Sequence, residues 1–343
     1  MKIDALPALA ALDEGRWNAL LDRSRLPSLF LTWQWQTEWS RAFAADHPQQ
    51  ILTATDADGS LVGVLPLYED DPGRQRIIGG VDVSDYLDLI AVAGREEEVW
   101  QALLQHRAGQ PAEWDLHGIR AASPTATVLP ALASAHGLQA TVARQDRCPV
   151  LALPKTWDEY LAKLSGKDRH ELRRKMRRLE RELPGATVRS HGDAAGWDEQ
   201  MTRFLTLHRL SKVGKARFMD ERMERFFRGA TALLAAKGWA RLWFLEYEGA
   251  AVAAFICLEY AGSVGLYNSG FDPARAQLAP GIVLLAHLIQ DAIDRGIPTF
   301  DFLRGEEPYK YGFGPAPEDV LNIRISGRIS GRISGRIAGR VGA

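Results

Sequence analysis

Apolar residues that recur every three or four positions predict amphipathic helices over residues 17–21 and Trp33–Phe43, the second opened by Thr32 as N-cap. The period then changes to two. Residues 51–55 and 61–67 flank an Asp58-Gly59 turn, which is the pattern of a hairpin. A strand is predicted over 86–92, a helix over 95–106, and strands at 114–116 and 150–153 on either side of a helix from 126 to 136. This first stretch mixes helices with a largely antiparallel sheet.

The chain changes character near residue 154. Thr156 and Glu159 have the spacing of a capping box, and Ser165 with Asp168 opens a second helix that runs to about 183 and stops at Pro184-Gly185. Helices are predicted over Trp197–Ser211 and 220–237, around a polar loop holding Lys212, Gly214 and Lys215. Alternating segments at 241–247, 251–259 and 263–270 predict an antiparallel meander. A helix over 281–293, ended by Gly296, and a strand over 299–303 follow. The fold class expected is α/β (α+β), as two tandem lobes over 1–153 and 154–322, each a mixed, mostly antiparallel sheet flanked by helices.

Composition narrows the function. A length of 343 residues with 46% hydrophobic content gives each lobe material for its own core, and a net charge of −1 supplies no global attraction to nucleic acid or membrane. Residues 1–15 carry Asp4 and Asp13 and no sustained apolar run, and no stretch is apolar enough for a span, so a cytoplasmic protein without a signal peptide or a membrane span is expected. Cys148 and Cys257 are the only cysteines, too few for a disulfide framework or a thiolate metal site. From Arg324 the chain repeats Ile-Ser-Gly-Arg through Arg328, Arg332, Arg336 and Arg340, and 323–343 is expected to be a disordered basic tail.

Residues 33–39, Ser84-Asp85-Tyr86, 164–181, 204–208 and 301–314, above all Asp301-Phe302-Leu303-Arg304-Gly305-Glu306-Glu307-Pro308-Tyr309-Lys310, resemble the CelD-type acetyltransferases of the GNAT-like superfamily, relatives of the FemAB-like aminoacyltransferases. The resemblance implies two GNAT-like lobes, the first without donor binding, and an N-acyltransferase that moves an acyl group from acetyl-CoA or another acyl-CoA to an amine. A small-molecule or glycan-precursor acceptor is expected: an amine of a sugar, polysaccharide or cell-envelope precursor, held in the groove between the lobes. Aminoacyl-tRNA as donor, or a non-catalytic binding module on the same fold, are the alternatives.

Thioester aminolysis needs a deprotonated amine, a stabilised oxyanion and no covalent nucleophile or metal. Lys310, beside a strand end and matching a lysine implied by the FemAB resemblance, is the candidate to polarise the acyl carbonyl or balance a phosphate, with Glu306 as the candidate base. Arg275, Leu278, Gly281 and Ile282 form a degenerate version of the glycine-rich donor loop. There Pro280-Gly281 either merely starts a buried helix or brings its amide to a pyrophosphate at the helix N-terminus. Asp85, Tyr86, His208, Tyr267, Arg304 and Tyr309 are the expected acceptor-binding residues, and Asp301 is read as a satisfied polar residue of the sheet. The cations of 167–181 either form a solvated, ion-paired helix face, with Glu171 and Lys175 one turn apart, or, with the arginine tail, make a weak contact to RNA or an anionic surface.

Overall fold

The computed structural model describes residues 1–108 and 112–327. The first part of the chain runs β1 (Lys2–Leu6), α1 (Glu14–Asp22), α2 (Trp33–Phe43), β2 (Gln49–Thr55), β3 (Leu61–Asp71), β4 (Arg74–Ile77), β5 (Ile90–Ala91), α3 (Glu96–His106), β6 (Glu113–Arg120), α4 (Pro124–Ala135) and β7 (Leu138–Ala152). The second runs α5 (Trp157–Lys163), α6 (Gly166–Glu182), β8 (Thr187–His191), α7 (Trp197–Ser211), α8 (Val213–Phe218), α9 (Glu221–Ala236), β9 (Ala240–Tyr247), β10 (Ala250–Tyr260), β11 (Ser263–Phe271), α10 (Pro280–Asp294), β12 (Thr299–Asp301), α11 (Pro308–Tyr311) and β13 (Ala316–Gly327).

The class is the expected one, a mixed α/β fold with a mostly antiparallel sheet flanked by helices. The strands of both halves are joined edge to edge in a single 13-stranded sheet, ordered β1-β2-β3-β4-β6-β13-β7-β12-β11-β10-β9-β8 with β5 beside β3. Among the described residues only β4–β6 and β11–β12 pair in parallel. The last strand returns to the first half: β13 lies between β6 and β7, antiparallel to both. β7 is the joint, because it pairs β13 over 138–150 and β12 over 150–152.

The predicted hairpin is β2–β3 and the predicted meander is β9–β10–β11. Thr32, Thr156 and Ser165 all accept a backbone N–H at the starts assigned to them. Three expectations fail. The polar loop predicted at Lys212, Gly214 and Lys215 forms the short helix α8, with Lys212 just before it. The strand over 86–92 shrinks to Ile90–Ala91, because 79–89 leaves the sheet as a loop across the Trp35 and Trp39 face. Gly80 (φ 64) allows the close approach: a Cβ there would lie 2.6 Å from the Trp39 ring. The disordered tail was placed too early, since 323–327 completes β13 with Ile323 and Ile325 buried; the remainder, 328–343, lies outside the described residues.

One core runs under the first half and on beneath α7 and α9, so the two halves are not separated by solvent. Trp35 of α2 meets Phe226 of α9 edge-on at 5.1 Å and Tyr267 of β11 at 5.5 Å. The second core lies on the opposite face of the second half, under α5, α6 and α10. α7 presses closest to the sheet at Gly270, where a Cβ would sit 2.6 Å from His208 N and 2.8 Å from Leu207 C. Both are backbone atoms and cannot swing aside. Gly270→Ala is therefore expected to cost about 1–3 kcal/mol by pushing α7 from β11. A thermal melt checks this, and an unchanged Tm would show that the helix is not held there.

Candidate functional site

β11 and β12 pair only over Ser263–Gly265 with Thr299–Asp301. Beyond that point they part, because the chain after Asp301 turns away through two left-handed residues, Leu303 (φ 53) and Gly305 (φ 108), while β11 continues to Phe271. Tyr267 is the extra residue of a bulge opposite the Ile256/Cys257 step, which bends β11 further from its parallel neighbour. A cavity of about 540 Å³ fills the gap, lined by the open side of β11, the start of α10, residues of the 302–310 turn, and Asp85 from the first half.

Lys310 anchors the turn. It is 3% exposed, and its ammonium donates to the carbonyls of Leu303 (3.3 Å), Arg304 (2.8 Å) and Gly305 (3.0 Å), with Glu307 at 3.0 Å. A buried cation with this many acceptors fixes backbone that no strand pairs. Next to it Arg304 reaches the 79–89 loop, with Nε 3.1 Å from Asp85 and an N–H donated to the Val81 carbonyl. Burial pushes the Asp85 carboxyl up, and the Arg304 guanidinium pulls it partly back. Tyr267 donates its hydroxyl to the Val83 carbonyl at 2.9 Å. The cavity wall is thus built from both halves of the chain.

Several predicted residues stand elsewhere. Tyr86, paired with Asp85 in the sequence, faces the opposite way and donates to Asp301 at 2.8 Å, beneath the Arg120 guanidinium and beside a separate small cavity of about 70 Å³. Asp301 is the satisfied strand residue expected, with Leu303 N–H as its other partner at 2.7 Å; burial lifts its carboxyl to about 6. Glu306 lies outside the main cavity, bonded to Arg147 at 3.3 Å and to the Tyr311 hydroxyl at 3.1 Å, and Arg147 holds its carboxyl below the usual range. Its neighbour Glu307 lines the cavity instead.

His208 clamps β11 from behind. Its Nδ1 is 2.9 Å from the Ser269 carbonyl and therefore carries the proton, and burial lowers the imidazole to about 4, so it is neutral near pH 7. Of the four residues assigned to the donor, Gly281 and Ile282 line the cavity; Leu278 is buried in the core under α10, and the Arg275 guanidinium packs over Tyr247 at 5.2 Å, 3.8 Å from Asp272. Gly281 is not needed by the fold: its φ is ordinary, and a Cβ would find only Phe255 Cζ at 3.9 Å. Tyr309 is 39% exposed and separates the cavity from a smaller one of about 190 Å³ bordered by Glu171 and Lys175 of α6. The expected Glu171–Lys175 pair forms at 3.4 Å and Arg174 joins it at 2.8 Å, whereas Arg173, Arg177 and Arg178 have no carboxylate partner among the described residues. Sequence reasoning left Lys212 and Lys215 as loop residues; both line the cavity, and burial lowers the Lys215 ammonium to about 8.

Among the described residues no group of His, Cys, Asp and Glu could hold a metal ion, and no helix is long and apolar enough to cross a membrane.

Residues 166–311 match the acetyltransferase (GNAT) domain family. No curated protein matches the sequence. Among solved structures, FemX is 12% identical with a TM-score of 0.63, covering 93% of this chain and 96% of its own. The C-terminal domain of the lysylphosphatidylglycerol synthetase from Agrobacterium fabrum is 12% identical, TM-score 0.59, with 93% and 92% covered. L-PGS from Bacillus licheniformis is 13% identical, TM-score 0.55, with 91% of each chain covered. These likenesses establish a shared fold along nearly the whole chain. With the GNAT domain spanning the parted strands, the protein is an acyltransferase.

Proposed function

We propose that the protein moves an acyl group from acyl-CoA to the amine of a sugar, polysaccharide or cell-envelope precursor, in keeping with the CelD-type resemblance of residues 301–310. The observation that carries this reading is the gap between β11 and β12. It offers an unpaired strand edge to an amide-bearing arm, and the start of α10 lies at the same cavity. Room above Gly281 that the fold does not use suits a pyrophosphate drawn by the helix dipole.

In the reaction a carboxylate first takes a proton from the ammonium; the free amine attacks the thioester carbonyl, the C–N bond forms, the C–S bond breaks, and the second nitrogen-bound proton passes to the departing thiolate, which leaves as the thiol of CoA. Asp85, rather than Glu306, takes the base role, since it lines the cavity and burial raises its carboxyl above the ordinary value. Lys310 acts by holding the 303–305 backbone, not by touching the acyl group.

Calorimetric titration with acetyl-CoA tests the donor. Gly281→Asp places a carboxylate where the phosphate would lie, and an acid in the first turn favours the helix. Binding at least tenfold weaker with an unlowered Tm is expected; equal binding by the variant would remove the donor from α10. A second reading, aminoacyl-tRNA as donor, is favoured by Arg173, Arg177 and Arg178 of α6, which have no carboxylate partner among the described residues, and by the FemAB-like resemblance of residues 301–310. Failure of every acyl-CoA to bind, with binding of aminoacyl-tRNA that weakens steeply as salt rises, would move the conclusion to it.

A further inference from the structure

The charges around the cavity are unevenly answered. Asp85 has Arg304 and Glu307 has Lys310, while Asp82, on the same wall, has no ion pair among the described residues. Lys215 enters the wall from α8 and donates to the Ser269 carbonyl and, at 2.9 Å, the Ser269 hydroxyl; the opposing charge that acts on it is Glu307, which forms its ion pair with Lys310 instead. Lys212, three residues earlier on the same wall, has no carboxylate partner among the described residues, and neither has Lys215. An ammonium withdrawn from water without an ion-paired carboxylate is costly, so a fold that leaves one facing a cavity gains when an anion arrives.

Its position separates that anion from the donor. α7 and α9, which flank α8, pack on one face of the second half, and α10 on the other. A donor anchored on α10 enters from the α10 face, and an acceptor meets it across the gap from the α8 face. Asp85 and Glu307 stand on the same cavity to receive an ammonium.

We propose that the acceptor carries an anionic group, carboxylate or phosphate, beside its amine, and that Lys215 with Lys212 binds this group while the amine faces Asp85. The inference rests on the acyl-transfer reading for the amine's role but is tested without it. In the intact protein the Lys215 side chain is followed by NMR through its titration near 8, at matched ionic strength, with two probe pairs: glucosamine 6-phosphate against glucosamine, and D-alanine against D-alaninamide. The charged member of at least one pair is expected to raise the titration toward the ordinary lysine value, with the neutral member inert; which pair responds tells phosphate from carboxylate. Lys215→Met is expected to weaken binding of that charged probe at least tenfold while leaving acetyl-CoA affinity unchanged, and Lys215→Arg to restore most of it. No shift with either anion, or equal shifts from charged and neutral members, overturns the subsite. Acetyl-CoA titration of the same sample separates the failures: loss of donor binding sinks the acyl-CoA reading, whereas donor binding with an inert Lys215 sinks the subsite alone.

Discussion

A chain ended at Pro315 will show no cooperative unfolding transition by circular dichroism, whereas one ended at Gly327 will show one. The difference is β13. It supplies the ladder partner of both β6 and β7 in the interior of the sheet, so its removal bares two strand edges at once. Val320, Ile323 and Ile325 are buried, and losing three such side chains forfeits roughly 5–9 kcal/mol. That is about the whole stability of an ordinary domain. The effect spreads, because β7 also carries β12 and hence Asp301 and the turn that walls the cavity. A cooperative melt by the shorter chain would show that the halves fold without this strand.

Lys310→Met is expected to lower stability by about 3 kcal/mol and kcat/KM by at least 100-fold together. Methionine fills the volume but leaves three buried carbonyls, those of Leu303, Arg304 and Gly305, without their donor. The left-handed turn they belong to then relaxes, and Arg304 and Glu307 move with it; displacement by an ångström at a transfer site costs about two orders of magnitude. Direct action on the acyl oxygen would give another result, a lower kcat at an unchanged Tm. Measuring both on one preparation distinguishes the roles.

What was legible in the sequence was local. The Asp58-Gly59 hairpin, the meander and the caps at Thr32, Thr156 and Ser165 rest on signals a few residues wide, and each is where it was expected. β13 escaped because its alternation, Ile323 and Ile325 inward with Arg324 outward, coincides with the start of the four-residue repeat, which reads as low complexity. Tyr86 and Asp85 adjoin in the sequence, which suggests a pair, yet these consecutive residues face opposite ways in the loop. Glu306 and Glu307 differ only in the turn's geometry, set by Gly305 and the start of α11. Lys215 has no sequence mark at all: its importance is its burial, and burial is a property of the tertiary fold.

The place of β13 also sets the order in which the protein can be finished on the ribosome. β6 and β7 are complete by residue 152, but the strand that lies between them is residues 316–327. At 5–20 residues per second the gap between these events lasts on the order of 10 s. While residues 153–298 are being made, β6 keeps one open edge and β7 has no strand on either side, so the nascent first half's safe passage depends on the speed of translation and on chaperones that shield open edges, more than on its own stability.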